Sequence, residues 1–235
     1  ANTSDAVIVP NRFMKRFLDW YGYKTIVSEF RIDPRYILKR RPRRKLDRWK
    51  ILYMSGTKSH EYDFSQAKDD ILEFQRSYDD VDLTVLGELS PEQFSDWPRI
   101  NVLGRKSYED MLLCIDEHDI VVAPFAKSTF NFAKSPTKFM EAGARGVPLI
   151  VSALPAYIQQ ISACGVGYVV PWQTRWYSVL EAAYRNRLAD AGHARVLIDY
   201  VHMNMSMASK KEGIYWQISD IYSDMVQQPV PLVNG

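Results

Sequence analysis

The sequence predicts an α/β fold built on a parallel sheet with helices on both faces. Short apolar runs alternate with segments of helical period between residues 50 and 170, the rhythm of βαβ units. Three of those runs close on a glycine (Gly56, Gly87 and Gly104), which sets a tight turn at the carboxyl edge of each strand, where open α/β sheets receive ligands. A length of 235 residues, 46% of them hydrophobic and 25% charged, is ample for a buried core.

The elements follow in order. Residues 6–9 read as a strand stopped by Pro10. Asn11 then caps a helix to residue 21, with Phe13, Phe17, Leu18 and Tyr21 at helical spacing and Gly22 beyond it. A strand is expected at 26–30. These pieces read as the end of a preceding domain. The first strand of the main sheet is 50–54, and Asp63 with Ser65 starts a helix to about residue 78. Strands follow at 82–86 and 100–103, then a helix at 108–117 with Met111, Leu112 and Ile115 facing inward. Residues 119–123 form a strand ending at Pro124, and a polar loop spans 125–134. The next helix has Ser135 as N-cap and Pro136 at its first position. Arg145 suits its negative end, and Gly146 takes the left-handed position after it. A strand at 149–152, a short helix at 156–161, a turn at 164–167 and a strand at 168–170 complete the alternation. Helices are expected at 178–188, 191–207 and 212–225. The domain boundaries read as 1–48 (domain end and basic linker), 49–190 (sheet domain) and 191–235 (helices crossing back).

Composition excludes several classes. No apolar stretch reaches the length of a membrane span, and the two cysteines, Cys114 and Cys164, lack metal-ligand spacing and suit a reducing, cytoplasmic setting. The chain opens without Met and without a charged-then-apolar leader. No signal peptide is expected, and the sequence reads as a piece of a longer protein. A formal net charge of +2 hides a local excess: Arg35, Lys39, Arg40, Arg41, Arg43, Arg44, Lys45, Arg48 and Lys50 crowd residues 35–50. That segment reads as a solvated interdomain linker or as a patch for anionic lipid or nucleic acid, the lipid case being a peripheral contact at the inner face of a membrane. Pro42 and the lack of apolar spacing argue against an inserting helix, and no nucleic-acid partner is expected.

Two stretches carry chemistry. Gly56, Thr57 and Lys58, with Ser59 and His60, form either an ordinary βα turn or one whose backbone approaches a phosphate; the second glycine of a Walker motif is absent. Lys134, Ser135, Lys138 and Glu141 surround a helix start. Free N–H groups there receive anions, Lys134 adds charge, and a buried glutamate near such a start accepts ribose hydroxyls. The plainer reading is a surface Lys138–Glu141 pair. Asn131 either bonds sugar hydroxyls or caps its loop. His60 suits a phosphate, whereas His118, His193 and His202 read as surface or helix-face residues.

The stretch STFNFAKSPTKFMEAGARGVPLIVS, residues 128–152, resembles the donor-site segment of the retaining glycosyltransferases of the GT-B fold. A loop, a Lys-Ser-Pro-x-Lys helix start, a glutamate, then Gly-x-Pro and a strand recur in that family in this order. The turn SGTKSHEYDF, residues 55–64, is similar to its first loop, and the likeness extends over residues 50–225. The resemblance implies the C-terminal, Rossmann-like half of such an enzyme. Gly56 and its followers would border the diphosphate of a nucleotide-sugar, Ser135 and Pro136 would start the helix facing it, and Glu141 would hold the ribose. Arg105 to Ser107 would run beside the base. It further implies hexosyl or deoxyhexosyl transfer with retention, no metal or other cofactor, and a glycan or lipid-linked acceptor in surface polysaccharide synthesis. One departure stands out: the family pairs two glutamates eight positions apart, and the earlier position here is Ala133. No catalytic residue is therefore assigned, and the chain alone is expected to be inactive. The other readings are a non-catalytic module that binds a nucleotide or a partner protein, and a nucleotide-sugar epimerase of the same fold.

Overall fold

The computed structural model describes residues 4–41, 47–56, 61–186 and 190–209. Six parallel strands form the main sheet in the order β5-β4-β3-β6-β7-β8: β3 (Trp49–Met54), β4 (Val81–Leu86), β5 (Ile100–Leu103), β6 (Ile120–Ala123), β7 (Leu149–Ser152) and β8 (Tyr168–Val170). Register is fixed by pairs such as Ile51↔Leu83 and Ile51↔Ile120. Successive side chains on a strand point to opposite faces, and each face here meets helices. Trp49, Ile51, Tyr53, Ile120 and Val122 enter one apolar cluster, Leu52, Met54, Val121 and Ala123 the other. Strands buried on both faces are apolar without alternation, which is why they read as short continuous runs.

Against the first face lie α2 (Glu61–Ser65), α3 (Lys68–Ser77) and α8 (Trp176–Arg185), through Phe64, Ile71, Phe74, Leu180 and Ala183. Against the second lie α4 (Tyr108–Asp116), α6 (Thr137–Ala144), α7 (Pro155–Cys164) and α9 (Asp190–Asn204), through Ile115, Phe139, Ala142, Tyr157, Leu197 and Val201. A side chain on Gly143 of α6 would bring its Cβ to 2.8 Å from Val201 of α9, so the two helices are as close as a bare backbone allows.

Before the sheet comes a separate unit: β1 (Val7–Val9) and β2 (Thr25–Val27) pair in parallel around α1 (Arg12–Trp20), with Asn11 accepting the Met14 N–H at 2.9 Å as N-cap. Residues 28–30 lie outside β2, so that strand is shorter and earlier than expected. The linker then bridges to the end of α9, Ile32 pairing with Ser206.

Other expectations are corrected. The helix foreseen up to residue 78 breaks at Gln66–Ala67 into α2 and α3, and Asp63 does not start it but lies buried inside α2. The segment read as a polar loop contains a short α5 (Thr129–Phe132) and buries Phe125, Ala126 and Asn131. His118 is buried, its Nδ1 at 2.7 Å from the Cys114 carbonyl. The basic segment is partly used within the molecule: Arg48 forms a bidentate pair with Asp82, and Arg41 donates to the Gly146 and His118 carbonyls. Arg43, Arg44, Lys45 and the helix expected at 212–225 lie outside the described residues, and no described helix is long and apolar enough to cross a membrane.

Candidate nucleotide site

Strand order creates the site. β3 and β6 are neighbours, but β3 continues toward β4 on one side and β6 toward β7 on the other. Crossovers that leave in opposite directions open a crevice beyond the carboxyl ends of the two strands. The turn after β3 and residues 124–136 after β6 border it. The first border is shaped from beside by Gly87, whose φ is +125° and whose added Cβ would sit 1.9 Å from the Ser55 carbonyl oxygen. Gly56 is exposed at this edge; Thr57, Lys58, Ser59 and His60 fall outside the described residues.

Across the crevice, Asp63 joins the two borders. Its side chain is only 8% exposed. Oδ1 accepts the Ala126 N–H at 2.9 Å and the Asn131 amide at 2.8 Å, and Oδ2 accepts from Lys134 Nζ at 3.1 Å. Asn131 also donates to the Ala126 carbonyl at 2.8 Å, so its amide is committed to shaping the α5 turn, and its Oδ1 is enclosed. The Lys134 ammonium lies 4.7 Å from the Phe125 ring centre and 5.2 Å from that of Phe130. Charge on a ring face is attracted to the quadrupole, so this lysine is held from three directions.

Helix α6 follows without the expected side-chain cap. Pro136, not Ser135, occupies the cap position, and the Ser135 hydroxyl turns to the Pro10 carbonyl at 3.4 Å. The reason is the docked N-terminal unit. Asn11 Nδ2 donates to the Ala133 carbonyl at 2.6 Å, and Phe13 packs edge-on against Phe132. Ser135 is thus drawn toward the unit and away from the helix. The buried Tyr157 hydroxyl lies against the first turn instead, beside Thr137 and the Lys138 backbone.

Lys138 and Glu141 occupy the same side of that turn. Lys138 Nζ donates to the Met54 carbonyl, at the end of β3, and sits 5.3 Å from the Tyr53 ring centre. Burial lowers its pKa to about 8, against the pull of the Glu141 charge. Burial likewise raises Glu141 to about 7, opposed by Lys138. Among the described residues no hydrogen bond or ion pair reaches the Glu141 carboxylate. The surface Lys–Glu pair is therefore not what forms: the lysine bonds to a backbone carbonyl and the glutamate is left open. Arg105 stands apart at the end of edge strand β5, exposed and 3.2 Å from Glu88. Near α6 on that side, Tyr108 meets Tyr36 edge-on at 5.2 Å.

The structure thus brings together Asn131, Lys134, Lys138 and Glu141 around one helix start, turns Ser135 aside and leaves Arg105 outside the cluster. Sequence reading missed Asp63, Asn11 and the Met54 carbonyl. For Asp63 a signal existed, since a carboxylate next to the core residue Phe64 in a short helix is placed to turn inward.

No family model matches the sequence, and no curated protein matches it either. Solved structures do. Sucrose-phosphate synthase from Thermosynechococcus elongatus superposes with a TM-score of 0.64 at 17% identity, over 95% of this chain and 59% of that one. A glycosyltransferase from Rickettsia africae gives 0.71 at 14% identity, over 96% and 64%. HepE from Anabaena, solved in complex with UDP and glucose, gives 0.71 at 12% identity, over 94% and 63%. The fold is that of GT-B glycosyltransferases. The chain spans about three fifths of the length of these structures.

Proposed function

We propose that this chain is the donor-binding part of a glycosyltransferase and takes the nucleoside diphosphate of a nucleotide-sugar in the crevice between β3 and β6. The observation that carries the reading is Glu141: a mostly buried carboxylate without a partner among the described residues, one turn into a helix whose start faces the crevice of a parallel sheet. Buried polar groups are ordinarily hydrogen-bonded, and a carboxylate in this place suits the two hydroxyls of a ribose. The start of α6 and the Lys138 and Lys134 ammonium groups favour the charge of a diphosphate. When the sugar leaves, they offset the charge that develops on that diphosphate. The GT-B fold supports the same reading, and one neighbour of that fold was solved with UDP and glucose.

Within this reading the transfer retains configuration, the acceptor is a glycan or lipid-linked saccharide of a surface polysaccharide, and the work is done in the cytoplasm, with the linker touching the inner face of a membrane. A second reading has its own observation. Ala133 stands where the family carries a carboxylate, and its carbonyl is already taken by Asn11. That favours a module that binds a nucleotide without turnover.

Calorimetric titration of the chain with UDP, GDP, dTDP and CDP tests the site. One diphosphate binds in the micromolar to low-millimolar range, and Glu141→Ala weakens it at least tenfold. Binding that ignores Glu141→Ala removes the ribose role. Absence of binding by any of the four removes the nucleotide site.

A further inference from the structure

We propose that Asp63 is a positioning residue of this site, which holds the Lys134 ammonium at the mouth of the α6 start for the distal phosphate of the nucleotide; the inference rests on the donor-site reading above. Asp63 lies 71 residues from Lys134 in the chain and on the other border of the crevice. Its two oxygens have different tasks. Oδ1 gathers the Ala126 N–H and the Asn131 amide, which sets the α5 turn, and Oδ2 accepts from Lys134.

The lysine keeps 22% of its side chain exposed, whereas the aspartate keeps 8%. An ammonium has three donors and is a compact charge on a flexible stem. With one donor given to Oδ2 and the ammonium seated over the rings of Phe125 and Phe130, the charged end of the partly exposed side chain is oriented before any ligand arrives. Preorganisation of this kind removes the cost of ordering a flexible side chain on binding. A carboxylate beside an anion site also repels the anion, so the opposite outcome, in which Asp63 competes for Lys134, has the opposite sign in experiment.

Asp63→Asn separates the two tasks, because the amide oxygen still accepts from Ala126 and Asn131 while the charge facing Lys134 is gone. Asp63→Ser is the companion variant in case the amide disturbs folding. The measurements are the affinity for whichever diphosphate the wild-type chain binds, the melting temperature, and the affinity of Lys134→Met alone and combined with Asp63→Asn. Expected is a loss of about tenfold for Asp63→Asn, the size of one charge-assisted hydrogen bond, with melting within a few degrees of wild type. The double variant is then no weaker than Lys134→Met, since Asp63 acts through Lys134. Affinity that is unchanged or increased in Asp63→Asn overturns the inference alone, and so do losses that add in the double variant. A wild-type chain that binds none of the diphosphates overturns the donor-site reading and takes this inference with it.

Discussion

Glu141 and Lys138 carry opposite penalties that the pH separates. In the folded chain Glu141 keeps its proton up to about pH 7, whereas the unfolded chain releases it near 4.5, so its contribution to stability falls as the pH rises through that window. Lys138 gives up its proton near pH 8 when folded and near 10.5 when unfolded, so stability rises with pH between those values. Both penalties are present from pH 7 to 8. Glu141→Gln is expected to stabilise the chain by about 1–3 kcal/mol at pH 7.5 and by almost nothing at pH 4.5. Urea unfolding of the two proteins at both pH values checks it, and an equal gain at both would show that Glu141 is not held neutral. Such a cost, at a carboxylate that no hydrogen bond or ion pair reaches among the described residues, is what a binding group imposes on the protein that carries it.

Close packing rather than chemistry governs the helices. α6 and α9 meet at Gly143, and Gly143→Leu drives a side chain into Val201. Overpacking of this sort costs about 1–3 kcal/mol, and hydrogen exchange along α9 is expected to accelerate before that of the strands. The same helix shows what the sequence could and could not reveal. Strands 100–103, 149–152 and 168–170 were legible to the residue, because short apolar runs bounded by Gly or Pro leave few alternatives. So were the Asn11 cap and the helix ending before Gly146. Ser135 misled: its position before Pro136 is that of a good N-cap, yet the Pro10 carbonyl, 125 residues away, takes its hydroxyl. Asp63 misled in the same way, since its partners lie 63 to 71 residues off. Local pattern reports local bonds. Lys134, Lys138 and Glu141 could be named together because they share one helix start; Asp63, whose bonds reach Lys134 from the far border, could not.

For the molecule as a whole, the two apolar clusters divide the labour clearly. Neither contains a residue before Ile32. The chain beginning at Arg31 is therefore expected to keep a single cooperative melting transition, while losing contacts such as those of Pro10, Asn11 and Phe13 with Ser135, Ala133 and Phe132. Circular dichroism and calorimetry of that shorter chain test the division, and loss of the transition would mean that the unit holding α1 belongs to the same cooperative structure.

The adjacency of β3 and β6 also has a consequence in time. The Lys50 N–H bonds to Asp119, 69 residues further along, and Asp63 reaches Asn131 over 68. Contacts of such separation are slow to close, because a long loop must be ordered before they return anything. A chain growing from its N-terminus has β3, β4 and β5 in hand while β6 is still being made, and until then the inner edge of β3 is an open strand. The cleft proposed to receive a ligand in the finished protein is, during synthesis, the seam of the main sheet that stays unstitched longest, and the place where a stray strand or a chaperone has its opening.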